Sequence, residues 1–184
     1  MVVKRERSWV NVAAVPMIVF IMLGAFVFTA NPCAAAKNVT VTIVRAVQID
    51  PVDSTNQADF FWYVTLDGDR RACSPHPWAV NDNDISPYWS TTFYNKASGS
   101  GQTYTLTIEL WDCDCGSSAE DLCDISKVDG YGGSASIATM VYHIDSNTWS
   151  GDDTGDGYVS GEESPDSSTG SDEDDCALWF MVSN

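Results

Sequence analysis

The 184-residue sequence predicts an all-β fold, an antiparallel β-sandwich of about seven or eight strands. Apolar residues alternate with polar ones at a period of two in several short runs. Clusters of Gly, Asp, Asn and Ser separate those runs, and nothing beyond residue 36 repeats at helical spacing.

Residues 1–36 stand apart from that pattern. Lys4-Arg5-Glu6-Arg7 is a positive segment, Val12 to Ala30 is apolar, and Ala34-Ala35-Ala36 is a small-residue stretch fitting a signal-peptidase site. A signal peptide cleaved after Ala36 is expected, with an uncleaved N-terminal membrane anchor as the alternative, because the apolar run is long enough to span a bilayer. In both cases the basic flank stays inside, so the remainder is expected to be extracellular, either secreted or tethered to the cell surface.

Residues 37–184 are enough for one domain with a single core. The first strand is expected over Asn38 to Gln48, with Val39, Val41 and Ile43 on one face. The second is Asp59 to Asp67, dense in aromatic and β-branched residues. Asp67-Gly68-Asp69 is a tight turn into a return strand at Arg70 to Cys73. Further strands are expected at Trp89 to Tyr94, Thr103 to Trp111, Ala135 to Ile144 and Ala177 to Val182. Gly151 to Asp175 reads as an acidic low-complexity insertion, too polar to pack by itself.

Nine Lys and Arg against 26 Asp and Glu give a net charge of −17, which disfavours nucleic acid as a partner. The acids gather in loops around 50–59, 82–84, 112–124 and 152–175 rather than spreading over every face. That favours local cation binding over a surface adapted to salt. No Gly-x-Ser-x-Gly, phosphate-cradling glycine loop or His-Glu-x-x-His occurs, so no enzymatic activity is expected. The tryptophans Trp62, Trp78, Trp89, Trp111 and Trp179 lie in or beside strands and read mainly as core. Exposed, they would instead suit a glycan-binding module.

Five cysteines lie beyond the leader: Cys73, Cys113, Cys115, Cys123 and Cys176. Disulfides are expected in an exported chain, with a bridge from Cys113 or Cys115 to Cys123 favoured and the remaining connectivity open. Zinc is disfavoured because His76 and His143 have no partner at ligand spacing. Asn38-Val39-Thr40 is a glycosylation sequon.

The strand ending at Trp111 runs into Asp112-Cys113-Asp114, with Glu120 and Asp121 following. Side chains two apart on an extended chain point the same way, so Asp112 and Asp114 aim their carboxylates together. Such a pair suits a hard divalent cation, Ca²⁺ above all, which takes about 6–8 oxygen ligands. A second candidate is Asp152 to Glu163, read as an isolated EF-hand-like loop without flanking helices. Asp152, Thr154 and Asp156 stand at its first, third and fifth positions, with Gly157 at the sixth, Tyr158 at the seventh and Glu163 at the twelfth.

Ser86-Pro87-Tyr88-Trp89-Ser90-Thr91-Thr92-Phe93 resembles the Asn-Pro-x-Trp-x-x-x-Phe signature of the C2 domain family, a calcium- and lipid-binding β-sandwich, with Ser86 in place of Asn. Leu110-Trp111-Asp112-Cys113-Asp114 resembles that family's entry into its third calcium loop, and Asp53 to Asp59 its first. The resemblance implies Asp53, Asp59, Asp112 and Asp114 as calcium ligands, joined by Glu120 or Asp121. Asp50, Asp82, Asp84 and Asp124 are second-tier candidates. The expected function is a non-enzymatic, secreted or cell-surface domain in which Ca²⁺ orders acidic loops for contact with anionic lipid or another surface protein. A glycan-binding module and a structural envelope protein are the alternatives, and the oligomeric state is left open.

Overall fold

The computed structural model describes residues 35–49, 57–113, 120–127, 136–153, 155–161 and 174–184. Among them the strands are β1 (Ala35–Gln48), β2 (Phe60–Leu66), β3 (Asp69–Ala72), β4 (Asp84–Ile85), β5 (Trp89–Ser98) and β6 (Thr103–Asp112). They continue with β7 (Asp121–Cys123), β8 (Ala138–His143), β9 (Thr148–Gly151), β10 (Tyr158–Ser160) and β11 (Cys176–Ser183).

All strand pairings are antiparallel and form two sheets. In the first, β1 is central: β11 and then β10 lie on one side, and β4 and β5 share its other edge. The second runs β3-β2-β6-β8-β9, with β7 pairing the end of β6 beyond β8.

The period-two alternation lays the core between these sheets. Val39, Val41 and Ile43 of β1, Leu106, Ile108 and Leu110 of β6, and Leu178, Phe180 and Val182 of β11 are all buried. Trp62 lies fully inside, against the rings of Trp78 and Trp89. Each inward strand residue removes apolar surface from water, which is the main favourable term in the fold.

Seven of the strands, β1, β2, β3, β5, β6, β8 and β11, follow the runs expected from sequence. Strands β4, β7, β9 and β10 are additions of two to four residues, too short for alternation to register. Part of the stretch expected to be a solvated insertion is built into the sandwich. Val159 and Ser160 on β10 are fully buried, and β10 pairs with β11. Gly157 permits this, having a φ of +76° and a position where a Cβ would lie 2.2 Å from the Phe180 carbonyl. The Asp67-Gly68 turn also behaves as expected. Both residues have positive φ, and Leu66 pairs with Asp69 across a two-residue hairpin.

The two sheets also join edge to edge. Asp124 and Asp175 form a parallel bridge, with Asp124 N–H donating to the Asp174 carbonyl at 2.8 Å and Cys176 N–H to the Asp124 carbonyl at 2.8 Å. This seam brings the stretch after β7 beside the start of β11.

Candidate metal centre

The end of β6 gathers acids from three places in the chain. Asp112 stands opposite Phe60 on one side and Asp121 on the other, because β6 is paired by both β2 and β7 there. Asp59 immediately precedes β2, and its N–H donates to Asp112 Oδ1 at 2.5 Å. Cys113 N–H returns a bond to the Asp59 carbonyl at 3.0 Å. The Asp59 carboxylate in turn accepts from Asn81 N–H at 2.5 Å, which ties in the 74–83 connection. Asp112 is buried, yet it sits directly across the ladder from another carboxylate, an arrangement that is unfavourable for like charges.

Asp174 joins them across the seam. Its carboxyl is pushed up to about 6, first by burial and then by the charges of Asp121 and Asp112. No sequence signal marked this residue, since it lies at the end of a low-complexity run and meets β7 only through the parallel bridge. These acids are anionic oxygen donors, the chemistry a hard divalent cation takes, although among the described residues no three of them converge on one point as a metal-binding group.

Other expected ligands fall differently. Asp121, in β7, faces Asp112, whereas Glu120 precedes the strand and is exposed. Asp84 is taken out of the set. Arg45 Nε and Nη2 hold its two oxygens at 2.8 and 2.6 Å and keep its carboxyl below the usual range, an exposed pair on β1 and β4. Asp82 Oδ1 accepts from Asp84 N–H at 3.2 Å, a local turn bond. Asp124 is buried, and its Oδ1 accepts from Ser126 N–H at 2.9 Å. Asp50, Asp53 and Asp114 lie outside the described residues.

The EF-hand-like stretch is organised by a residue that the expected register left out. Asp153 is buried and accepts from Gly155 N–H at 3.0 Å, Asp156 N–H at 3.3 Å, Gly157 N–H at 2.9 Å and the Trp149 indole N–H. Burial opposes its charge, but the hydrogen bonds from Asp156, Trp149 and the glycine amides outweigh that and hold its carboxyl low. Asp152 is spent on the sheet, its Oδ2 accepting from Thr139 N–H at 2.6 Å. Asp156 Oδ1 accepts from Tyr158 N–H at 3.2 Å, and its contact with Asp153 raises its carboxyl. Thr154 and Glu163 lie outside the described residues.

The expected bridge from Cys113 or Cys115 to Cys123 is corrected. Cys123 is a free thiol, as are Cys73 and Cys176. Cys113 is disulfide-bonded to none of these three. Geometry explains why. Cys123 stands opposite the inward-facing Leu110, whereas Cys113 follows Asp112 at the opposite parity of the strand. Cys115 lies outside the described residues. Asn38 is exposed, and its side-chain oxygen accepts from Asn95 N–H at 3.1 Å.

Two packed antiparallel sheets, with acidic chain segments meeting at one strand end, define an antiparallel β-sandwich with a candidate cation site at one end. The family description "C2 domain" matches residues 37–128, and the chain belongs to the C2 domain family. Human GIVD cytosolic phospholipase A2 is similar in structure at 15% identity and a TM-score of 0.47, over 81% of this chain and 16% of that one. The same human enzyme in complex with methyl gamma-linolenyl fluorophosphonate inhibitor and terbium chloride gives 14% identity and a TM-score of 0.45, over 82% of this chain and 18% of that one. The chain thus spans less than a fifth of those structures. No curated protein matches it.

Proposed function

We propose that this C2 domain is an exported, non-enzymatic calcium-binding module whose acidic strand end binds Ca²⁺ and then docks on anionic surfaces. The observation that carries the proposal is Asp112 held across the ladder from Asp121, with Asp174 close enough to feel both. Asp59, Asp112 and Asp121 would hold the ion, with Asp53 and Asp114 contributing from adjoining sequence. Bound Ca²⁺ supplies positive charge that cancels the repulsion and offers a bridge to phosphate or carboxylate groups.

Export rests on the leader pattern of residues 1–36. Val80, 61% exposed and next to the Asn81 that binds Asp59, is an apolar side chain at the rim, suited to contact lipid once the charge is neutralised. The glycan reading needs exposed tryptophans, and Trp62 is buried while Trp78, Trp89, Trp111 and Trp179 are half-buried. Among the described residues the large exposed apolar side chains are Val80, Tyr88, Tyr94, Val141 and Met181, and no tryptophan is among them.

Titration calorimetry of the protein with Ca²⁺, followed by flotation with vesicles of phosphatidylserine and phosphatidylcholine, tests the proposal. A binding heat that chelator removes, and vesicle binding that needs Ca²⁺, are expected. No heat at millimolar Ca²⁺ would sink it.

A further inference from the structure

Cys123 and Cys176 are 54 positions apart counted inclusively, lie in different sheets, and meet at the seam. Cys123 pairs with Leu110 and Cys176 with Gln48, so both side chains turn inward. Both are fully buried, and the two thiols hydrogen-bond each other. The backbone on either side is already fixed by the Asp124–Asp174 and Cys176–Asp124 hydrogen bonds and the Asp124–Asp175 bridge.

We infer that Cys123 and Cys176 form a disulfide that locks the two sheets together at their acidic edge. Among the described residues the competing partners of Cys123 are Cys113 and Cys73. Cys113 is already bonded elsewhere. Cys73 follows β3, three strand spacings from β7 in the order β3-β2-β6-β7. At about 4.8 Å per spacing that is far beyond the roughly 7 Å Cα separation a disulfide tolerates.

The chemistry is a two-electron oxidation by a small disulfide such as glutathione disulfide. A Cys thiolate attacks it to give a mixed disulfide and release one glutathione. The second thiolate then displaces the other, so the new S–S bond forms as the oxidant is reduced to two thiols. The two protons from the cysteines pass to the departing glutathione thiolates. Both thiols are fully buried in the closed fold, out of reach of a small disulfide in solution. The bond therefore forms while the seam is still open during folding, and resists exchange once it has closed.

The full chain, refolded with a reduced and oxidised glutathione pair in the presence of chelator, tests this independently of any calcium binding. After quenching with iodoacetamide, peptide mapping is expected to find Cys123 linked to Cys176 and Cys73 alkylated. The bridged protein should melt on the order of 10 °C above the reduced one, as expected for closing a loop of this length. Cys123→Ser and Cys176→Ser should each remove that increment, and the double variant should lose no more than either. Should a variant not fold, the wild-type map decides. Alkylation of both residues, linkage of Cys123 to Cys113 or Cys115, or additive losses in the double variant would overturn the inference.

Discussion

Asp174 offers a direct measurement of what burial, and then the charges of Asp121 and Asp112, cost at the end of β6. Raising its carboxyl from an ordinary 3.8 to about 6 corresponds to about 3 kcal/mol. Asp174 is only partly buried, so solvent screening reduces that to about 1–2 kcal/mol. The sign follows from linkage. The native state holds this proton more tightly than the unfolded chain, so stability falls as pH rises from about 3.8 through about 6, and the full penalty applies above that. Asp174→Asn removes the ionisable group and most of the penalty. In chelator at pH 7 it should raise the melting temperature by roughly 3–6 °C for a domain of this size. Near pH 4, where wild-type Asp174 is largely protonated in the fold, the gain should shrink towards zero. Thermal melts of both proteins across that pH range, with reversibility checked, are the assay. An equal gain at both pH values, or a loss at pH 7, would refute the electrostatic reading and leave only a packing effect.

Asp112→Asn should abolish the calorimetric calcium signal, whereas Asp84→Asn should leave the calcium midpoint unchanged because Arg45 holds both Asp84 oxygens. Leu110→Ala, at a fully buried inward position of β6, should cost about 2–5 kcal/mol in urea unfolding. Gly157→Ala forces a Cβ onto the Phe180 carbonyl at positive φ. It should destabilise by more than about 1 kcal/mol and expose the β10 edge to proteolysis before the rest of the domain.

What could be read from sequence, and what could not, follows from how far each signal reaches along the chain. The inward faces of β1, β6 and β11 were visible because a strand with one wet face must alternate, and that pattern is complete within about ten residues. The placing of Asp59 and Asp112 at neighbouring strand ends was legible for a related reason, since each adjoins a strand that is recognisable by itself. Trp62 was correctly placed in the core by its neighbours in β2. The Asp84 ion pair was not legible because its partner, Arg45, lies 39 residues upstream and meets it only through the pairing of β1 with β4.

The seam was hidden most completely, and it decides how the acids work together. Asp174 and Asp175 end a run of Asp, Ser, Gly and Glu whose composition argues for solvation. Nothing local shows that this run ends against residues 121–125. Two backbone bonds and one bridge make that junction, and backbone bonds are nearly blind to side-chain identity. The side chains that do respond are Cys123 and Cys176 on the inner side and Asp121 and Asp174 at the acidic edge. The thiols draw the sheets together where the carboxylates push them apart. A domain built this way is least stable when reduced and free of calcium. Oxidation and calcium binding should therefore reinforce each other: bridging Cys123 to Cys176 should tighten calcium binding, because the closed seam has already met the cost of holding Asp121 beside Asp174. Calcium titrations of the bridged and reduced proteins side by side would test this, and equal affinities would show that the seam stays closed without the bond.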